Sequence, residues 1–254
     1  MTRKTGSEIA KSGFKNEYVI VEKLNNFRTD ADAQQMLEAM GFPVDSYSSV
    51  EAHKVPGTVK SDIAVRVDGR QIYISAKKCG KADFNQVCRH SVEKWGSLVG
   101  LAPQVIQTLS VFTGEARPAD HPHLLVAGST QRPDRATLGE IKQGLVAEAA
   151  TALRRNLKMF LEISFRGLGD IKPDFMIITQ EKDDGIYYYT FPMDKVLEFY
   201  SGDGSVTISP RGSFYLGGKK MSAQRKGGSG GPTNLQFKFR PSFIIQSISS
   251  EVSA

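Results

Sequence analysis

A mixed α/β (α+β) chain, with helices flanking a central mixed sheet, is what this sequence predicts from three of its stretches. The first forty residues repeat apolar positions at helical spacing. Residues 62 to 78 alternate apolar and polar positions on either side of an Asp-Gly pair, and further strand-like runs follow residue 158.

Taken in order, Ser12-Gly13 precedes the apolar series Phe14, Val19, Val21 and Leu24, which predicts a first helix. Thr29-Asp30 opens a second (Ala31, Met36, Leu37, Met40), which stops at Gly41 with Pro43 beyond. Strand signals occupy residues 46 to 78. Phe84 to Leu109 reads as helix, weakened by Gly96, Gly100 and Pro103. A polar, proline-rich connection runs from Arg117 to Pro133, and a helix is predicted over Arg135 to Lys158. Beyond it, Met159–Ser164, Phe175–Gln180 and Ile186–Phe191 read as strands, and Met193–Tyr200 as a short helix. The Ser-rich end, Ser247 to Ala254, is expected to fray.

Composition narrows the class. With 254 residues and 40% hydrophobic content the chain can bury a sizeable core. The amino terminus lacks an apolar h-region and no run approaches a membrane span, so a cytoplasmic protein without membrane contact is expected. Cys79 and Cys88 lack a second pair at zinc-site spacing and read as reduced thiols, while His121-Pro122-His123 reads as a loop.

Charge is unevenly placed. The net charge is +6, yet residues 211 to 240 hold seven cations (Arg211, Lys219, Lys220, Arg225, Lys226, Lys238, Arg240) and no acid, so the remainder sums to −1. This glycine-rich segment also carries Gln224, Asn234 and Gln236, a mixture suited to a polyanion whose bases are read as well as held. The apolar runs Ser213–Leu216 and Leu235–Phe239 frame it as strands.

The chemistry concentrates between Lys60 and Lys78. Asp62 opens a strand (Ile63, Val65, Val67), Asp68-Gly69 supplies the turn, and Ile72 and Ile74 return as a second strand ending in Ser75-Ala76-Lys77. Asp62 and Lys77 then project into one cleft. A carboxylate to hold Mg²⁺ and a lysine to orient water are what phosphodiester hydrolysis needs, because it depends on positioning and charge neutralisation. Where a second carboxylate would stand, two residues before the lysine, the chain has Ser75. The Ala76 carbonyl is a further oxygen ligand, and Glu17 of the first helix is a candidate to enter the same site. A rival, Pro173-Asp174 followed by Gln180-Glu181-Lys182, leaves too few residues for two strands and a turn. Phe84-Asn85-Gln86 combines an aromatic with two amides, a set suited to wedging into a base step or, with Phe84 in the core, to opening the next helix.

With these residues assembled, the chain resembles the small type II restriction endonucleases of the PD-(D/E)xK superfamily that cut four-base-pair GC-rich sites, most of all the GCGC-cutting kind. The resemblance extends from the amino terminus to about residue 240. It rests on Ser12-Gly13-Phe14-Lys15-Asn16-Glu17, Lys60-Ser61-Asp62-Ile63, Phe84-Asn85-Gln86, Phe112-Thr113-Gly114-Glu115, Arg166-Gly167 with Gly169-Asp170, Ser209-Pro210-Arg211-Gly212-Ser213, Gln224-Arg225-Lys226-Gly227-Gly228 and Leu235-Gln236-Phe237-Lys238.

The resemblance implies a restriction-endonuclease-like core in a single domain. Residues 1–158 would form the catalytic core with its amino-terminal helices, and 159–245 a second layer with the basic loop. It also implies that Asp62 binds metal and Lys77 acts on water. In those relatives a neutral amide stands at the acid position, so Ser75 departs by being shorter, and the gap from Asp62 to Ser75 is shorter too. Phe84 and Gln86 would enter the minor groove of double-stranded DNA, and Gln224, Arg225 and Lys226 would read the major groove. A palindromic target implies a homodimer or two sequential nicks, and a cognate DNA methyltransferase is expected in the same restriction system. Two other readings stay open at this level: a DNA-binding protein without catalysis, and an endonuclease that requires cytosine methylation or is blocked by it.

Overall fold

The computed structural model describes residues 6–57, 59–80, 85–129, 132–209, 212–225 and 234–251. In chain order its elements begin α1 (Gly6–Asn25), α2 (Ala31–Ala39), β1 (Val50–Lys54), β2 (Ile63–Val67), β3 (Arg70–Cys79), β4 (Asn85–His90), α3 (Val92–Val99) and α4 (Pro103–Thr113). They continue with α5 (Gln143–Arg155), α6 (Leu157–Phe165), β5 (Phe175–Lys182), β6 (Gly185–Pro192), α7 (Met193–Ser201), β7 (Val206–Ile208), β8 (Phe214–Leu216), β9 (Met221–Arg225), β10 (Leu235–Phe239) and α8 (Pro241–Glu251). The mixed α/β class follows the prediction.

Two compact units share the chain, and neither is continuous. One comprises residues 1–85, 165–197 and 240–254; the other comprises 86–164 and 198–239. The sequence reading divides the chain once, at residue 158.

In the first unit the sheet runs β1-β2-β3-β5-β6, antiparallel throughout except for the parallel pair β3–β5. A parallel neighbour requires a long crossover. Here residues 80 to 174 provide it, and they carry most of the second unit. Asp174 fixes where β5 begins: its amide donates to the Tyr73 carbonyl and its carboxylate accepts from the Tyr73 amide, both at 2.8 Å. One sheet face is apolar. Ile63, Val65, Val67, Ile72, Ile74 and Ile177 pack with Ile20 and Leu24 of α1 and Met36 and Leu37 of α2. Each such side chain contributes about 1.5–3 kcal/mol relative to exposure. The Asp30 side chain caps α2, accepting from the Ala33 amide at 3.0 Å.

The second unit has a sheet in the order β4-β10-β9-β8-β7, in which β10–β9, β9–β8 and β8–β7 pair antiparallel. Phe237, stacked on Phe160 and edge-on to Trp95, centres its core, and Phe214 meets Phe112. The Trp95 indole donates to the Leu235 carbonyl at 3.2 Å, satisfying the one polar atom of a fully buried ring.

Several expectations are corrected. Residues 85 to 90 form strand β4, not the start of a helix. The helix begins only at α3, where Ser91 caps it through the Lys94 amide, and it breaks at Gly100 (φ 71°) before Pro103 opens α4. The helix predicted from Arg135 begins at Gln143, because Thr137 and Glu140 close a side-chain turn and Ile141 bridges Leu125. Met159 to Ser164 lies within helix α6, not a strand. A six-residue run is too short for its period to distinguish the two, although Met159 is exposed and Glu162 half-buried. Finally, α8 runs through Glu251, helix where fraying was expected, with Pro241 at its first position.

Candidate active site and nucleic-acid interface

The β2–β3 hairpin builds the site. Asp68 (φ 44°) and Gly69 (φ 87°) both take positive φ, the two-residue turn that suits strand twist. The Asp68 carboxylate accepts the amides and hydroxyls of Ser48 and Ser49 at 2.8–3.1 Å. Those bonds hold its carboxyl down at about 2. The register pairs Val67 with Arg70 and Ile63 with Ile74, so continuing it sets Asp62 opposite Ser75. Strand alternation turns Asp62, Ser75 and Lys77 away from the face on which Ile63 and Ile74 pack.

One oxygen of Asp62 gathers the site. Its Oδ2 accepts from the Ala76 amide at 2.7 Å, the Lys77 ammonium at 3.0 Å and the Ser75 hydroxyl at 3.2 Å. Lys77 Nζ also donates to the Ala76 carbonyl at 3.1 Å. A positive charge therefore already bridges the Asp62 carboxylate and the Ala76 carbonyl. Asp62 Oδ1 accepts no hydrogen bond from the described residues. The donor set is all oxygen, with one carboxylate, one carbonyl and one hydroxyl, and it fits Mg²⁺, which keeps most of its waters and needs few protein ligands. Among the described residues no group of three or more His, Cys, Asp or Glu side chains converges to hold a metal.

Glu17 is placed elsewhere. Its carboxylate pairs with Lys54 of β1 at 2.6 Å, and the same ammonium lies over the rings of Phe14 and Tyr18 at 4.7 and 4.4 Å. Lys54 stands opposite Ile63, so the pair shares the face on which α1 packs. Nothing in the chain order pointed to Lys54, because β1 reaches Glu17 only through tertiary packing.

The second sheet presents a polar face. Gln236 pairs with Gln224 and Lys238 with Ser222, while Phe237 and Phe239 alternate into the core. Gln236 is buried and donates to the Arg225 carbonyl at 3.3 Å. Burial pushes the Lys238 ammonium below its usual range. Ser222 and Tyr215, which sequence reasoning missed, lie in the same row, and the buried Ser222 hydroxyl has no hydrogen-bond partner among the described residues. The alternation in Met221–Arg225 was the available signal. Lys219 is exposed in the β8–β9 turn, whereas Lys220 donates to the Phe199 carbonyl at 2.9 Å and covers its ring. Asn234, half-buried, precedes β10. Asn85 begins β4 and donates to the Lys78 carbonyl at 3.0 Å; Gln86 follows, exposed. Phe84, Arg211 and Lys226 lie outside the described residues.

Both cysteines are buried thiols outside any disulfide. Among the described residues no helix is long and apolar enough to cross a membrane. No curated protein matches the chain. A family model described as R.HinP1I restriction endonuclease matches residues 40–245, which include Asp62, Ser75, Lys77 and both polar strands of the second sheet. With well over half its length matched, the chain belongs to the R.HinP1I restriction endonuclease family and is a type II site-specific deoxyribonuclease.

Proposed function

We propose that the enzyme hydrolyses DNA with Mg²⁺ at a short GC-rich palindrome, GCGC, and leaves 5′-phosphates, with Asp62 and Lys77 at the reacting bond. The observation that carries the reading is the convergence of Ser75, Ala76 and Lys77 on one oxygen of Asp62. Asp62, the Ala76 carbonyl and, as a weaker donor, Ser75 would hold the ion. Bound there, Mg²⁺ would neutralise charge developing on the phosphate. Lys77 spans these oxygens and has a third donor to aim at an incoming water. Water oxygen attacks phosphorus, the 3′-oxygen leaves with a proton, and the phosphate stays on the 5′ side. Glu17, held by Lys54 on the face where α1 packs, is given no step at Asp62.

Gln224, Arg225, Lys226, Asn234, Gln236 and Lys238 would read bases and phosphates, with Arg211, Lys219 and Lys220 adding charge and Phe84, Asn85 and Gln86 acting from the minor groove. Arginine or lysine on guanine suits a GC-only target, about 1–3 kcal/mol for each good contact. A palindrome calls for a homodimer or two nicks, and for a methyltransferase that protects the host. Two buried thiols outside any disulfide suit a reducing cytoplasm.

Plasmid cleavage with Mg²⁺ and with EDTA tests the site. Asp62→Ala and Lys77→Ala should each lose about three orders of magnitude in rate, and undiminished cutting by either variant overturns the assignment.

A further inference from the structure

Two adjacent lysines of the basic segment stand in opposite situations. The four residues between β8 and β9 run Gly217, Gly218, Lys219, Lys220, and the first three take positive φ, at 55°, 68° and 71°. Glycine adopts that region freely, whereas a lysine there brings its Cβ close to the following carbonyl oxygen. A third glycine would suit the turn better than Lys219 does.

The turn is fixed where it rests on the last turn of α7. The Gly217 amide donates to the Ser205 carbonyl at 2.9 Å, and the Gly218 amide to the Ser205 hydroxyl at 3.3 Å. A Cβ on Gly217 would collide with the Tyr200 carbonyl oxygen, and one on Gly202 would lie 2.7 Å from the Gly217 carbonyl oxygen. Backbone therefore meets backbone here. Lys220 closes the joint: its ammonium donates to the Phe199 carbonyl, one of the helix's last, at 2.9 Å and lies 3.9 Å from the centre of the Phe199 ring.

Lys219 has no such anchor. It is exposed, and no hydrogen bond or ion pair from the described residues reaches its ammonium. The acid beside the turn is Asp203, whose carboxylate accepts from the Ser205 amide at 2.9 Å. Backbone strain persists where the surroundings over-determine it, and here the strained residue ends in an outward charge. In a segment of seven cations and no acid, phosphate is the group that complements it.

We propose that Lys219 contacts a backbone phosphate of the DNA, and that Lys220 is the strut of the turn that presents it. Lys220 adds its charge to the local field from a fixed place without touching the duplex. Both roles rest on the reading that segment 211–240 meets DNA, and they divide a pair that composition counts as equal.

Fluorescence anisotropy in EDTA, from 50 to 200 mM salt, reads the contact without cleavage on a GCGC duplex and on an unrelated duplex. Lys219→Gly should make the slope of log K against log[salt] shallower by about 0.9 on both, which at about 0.1 M salt is roughly eightfold weaker binding. Its urea midpoint should hold or rise, because the strain is relieved. Lys219→Arg should keep the parent's slope. Lys220→Ala should do the reverse of Lys219→Gly, with a lower midpoint and, where it is still folded, the parent's slope. An unchanged slope in Lys219→Gly overturns the proposal. So does a fall in its midpoint, which would make Lys219 structural, or weakening confined to the GCGC duplex, which would make it a base contact. A slope change in Lys220→Ala as large as that in Lys219→Gly overturns the division of roles. If neither Lys219→Gly nor Arg225→Ala alters binding, the reading of the segment fails as well; if Arg225→Ala alone weakens it, that reading stands and only the roles of the two lysines fall.

Discussion

The two sheets use polar residues in opposite ways. In the first, three donors from three consecutive residues converge on one oxygen of Asp62, within 2.7–3.2 Å. In the second, Gln224, Ser222, Gln236 and Lys238 are spread in rows over two strands, each opposite another polar residue. Bond cleavage needs several groups on one atom, whereas reading a base sequence needs single groups spaced along a surface. Both sheets set their polar rows by the same alternation, with an apolar face packed in the core; in the second sheet Ser222 and Gln236 are themselves buried.

Core truncation probes that division most strongly. Ile74→Ala beneath the Asp62 face and Phe237→Ala beneath the Gln236 row should destabilise by about 2–5 and 3–5 kcal/mol, as seen by urea unfolding. At a temperature where both variants stay folded their defects should part. Loosening Ile74, whose carbonyl accepts the Asp62 amide at 2.8 Å, should lower kcat. Loosening Phe237 should raise KM. Equal effects on both constants from both variants would break the comparison.

Next in size is a change in the polar row proposed to read bases. Gln224→Ala should narrow discrimination between GCGC and single-mismatch sites by about 1–3 kcal/mol at the affected position, measured as a ratio of kcat/KM. An equal loss on all sites would assign Gln224 to the backbone instead.

Ser75 tests how much of the proposed Mg²⁺ site is hydroxyl. Ser75→Ala removes one donor to Asp62 and one candidate oxygen ligand, and should raise the Mg²⁺ needed for half-maximal rate by about tenfold. No change would leave Asp62 and the Ala76 carbonyl as the only protein ligands.

How much of this was legible depended on distance along the chain. The hairpin could be read because Ile63, Val65 and Val67 alternate and Asp68-Gly69 allows one register, so Asp62 and Ser75 had to face each other. The same logic located β8 and β10. Partners set by tertiary packing were hidden, above all Lys54 as the cation beside Glu17. Strand β4 was mistaken for helix because its pairing with β10 lies far away in sequence. Residues 159 to 164 were mistaken for strand because a run of six is too short to show the helical period, in which Met159 and Glu162 face outward. Gly167 showed in sequence only as a glycine; its need for φ +82° beside Lys60 is a property of the fold.

The smallest effect concerns the turn that sets the catalytic register. Asp68 is held at about 2 in the folded protein, first of all by the Ser48 and Ser49 amides, against roughly 3.9 when unfolded. A carboxyl with a depressed folded value adds stability fully above the unfolded value and loses it as pH falls through the folded one. Asp68→Asn should therefore be less stable than the parent at pH 7, with the gap closing between about pH 4 and pH 2. Because the turn is exposed and its bonds are screened by water, the difference should be modest, and added salt should shrink it further. Denaturant midpoints from pH 2 to pH 7 would show this, and a gap constant across that range would mean the turn is held by its backbone shape instead of by the charge on Asp68.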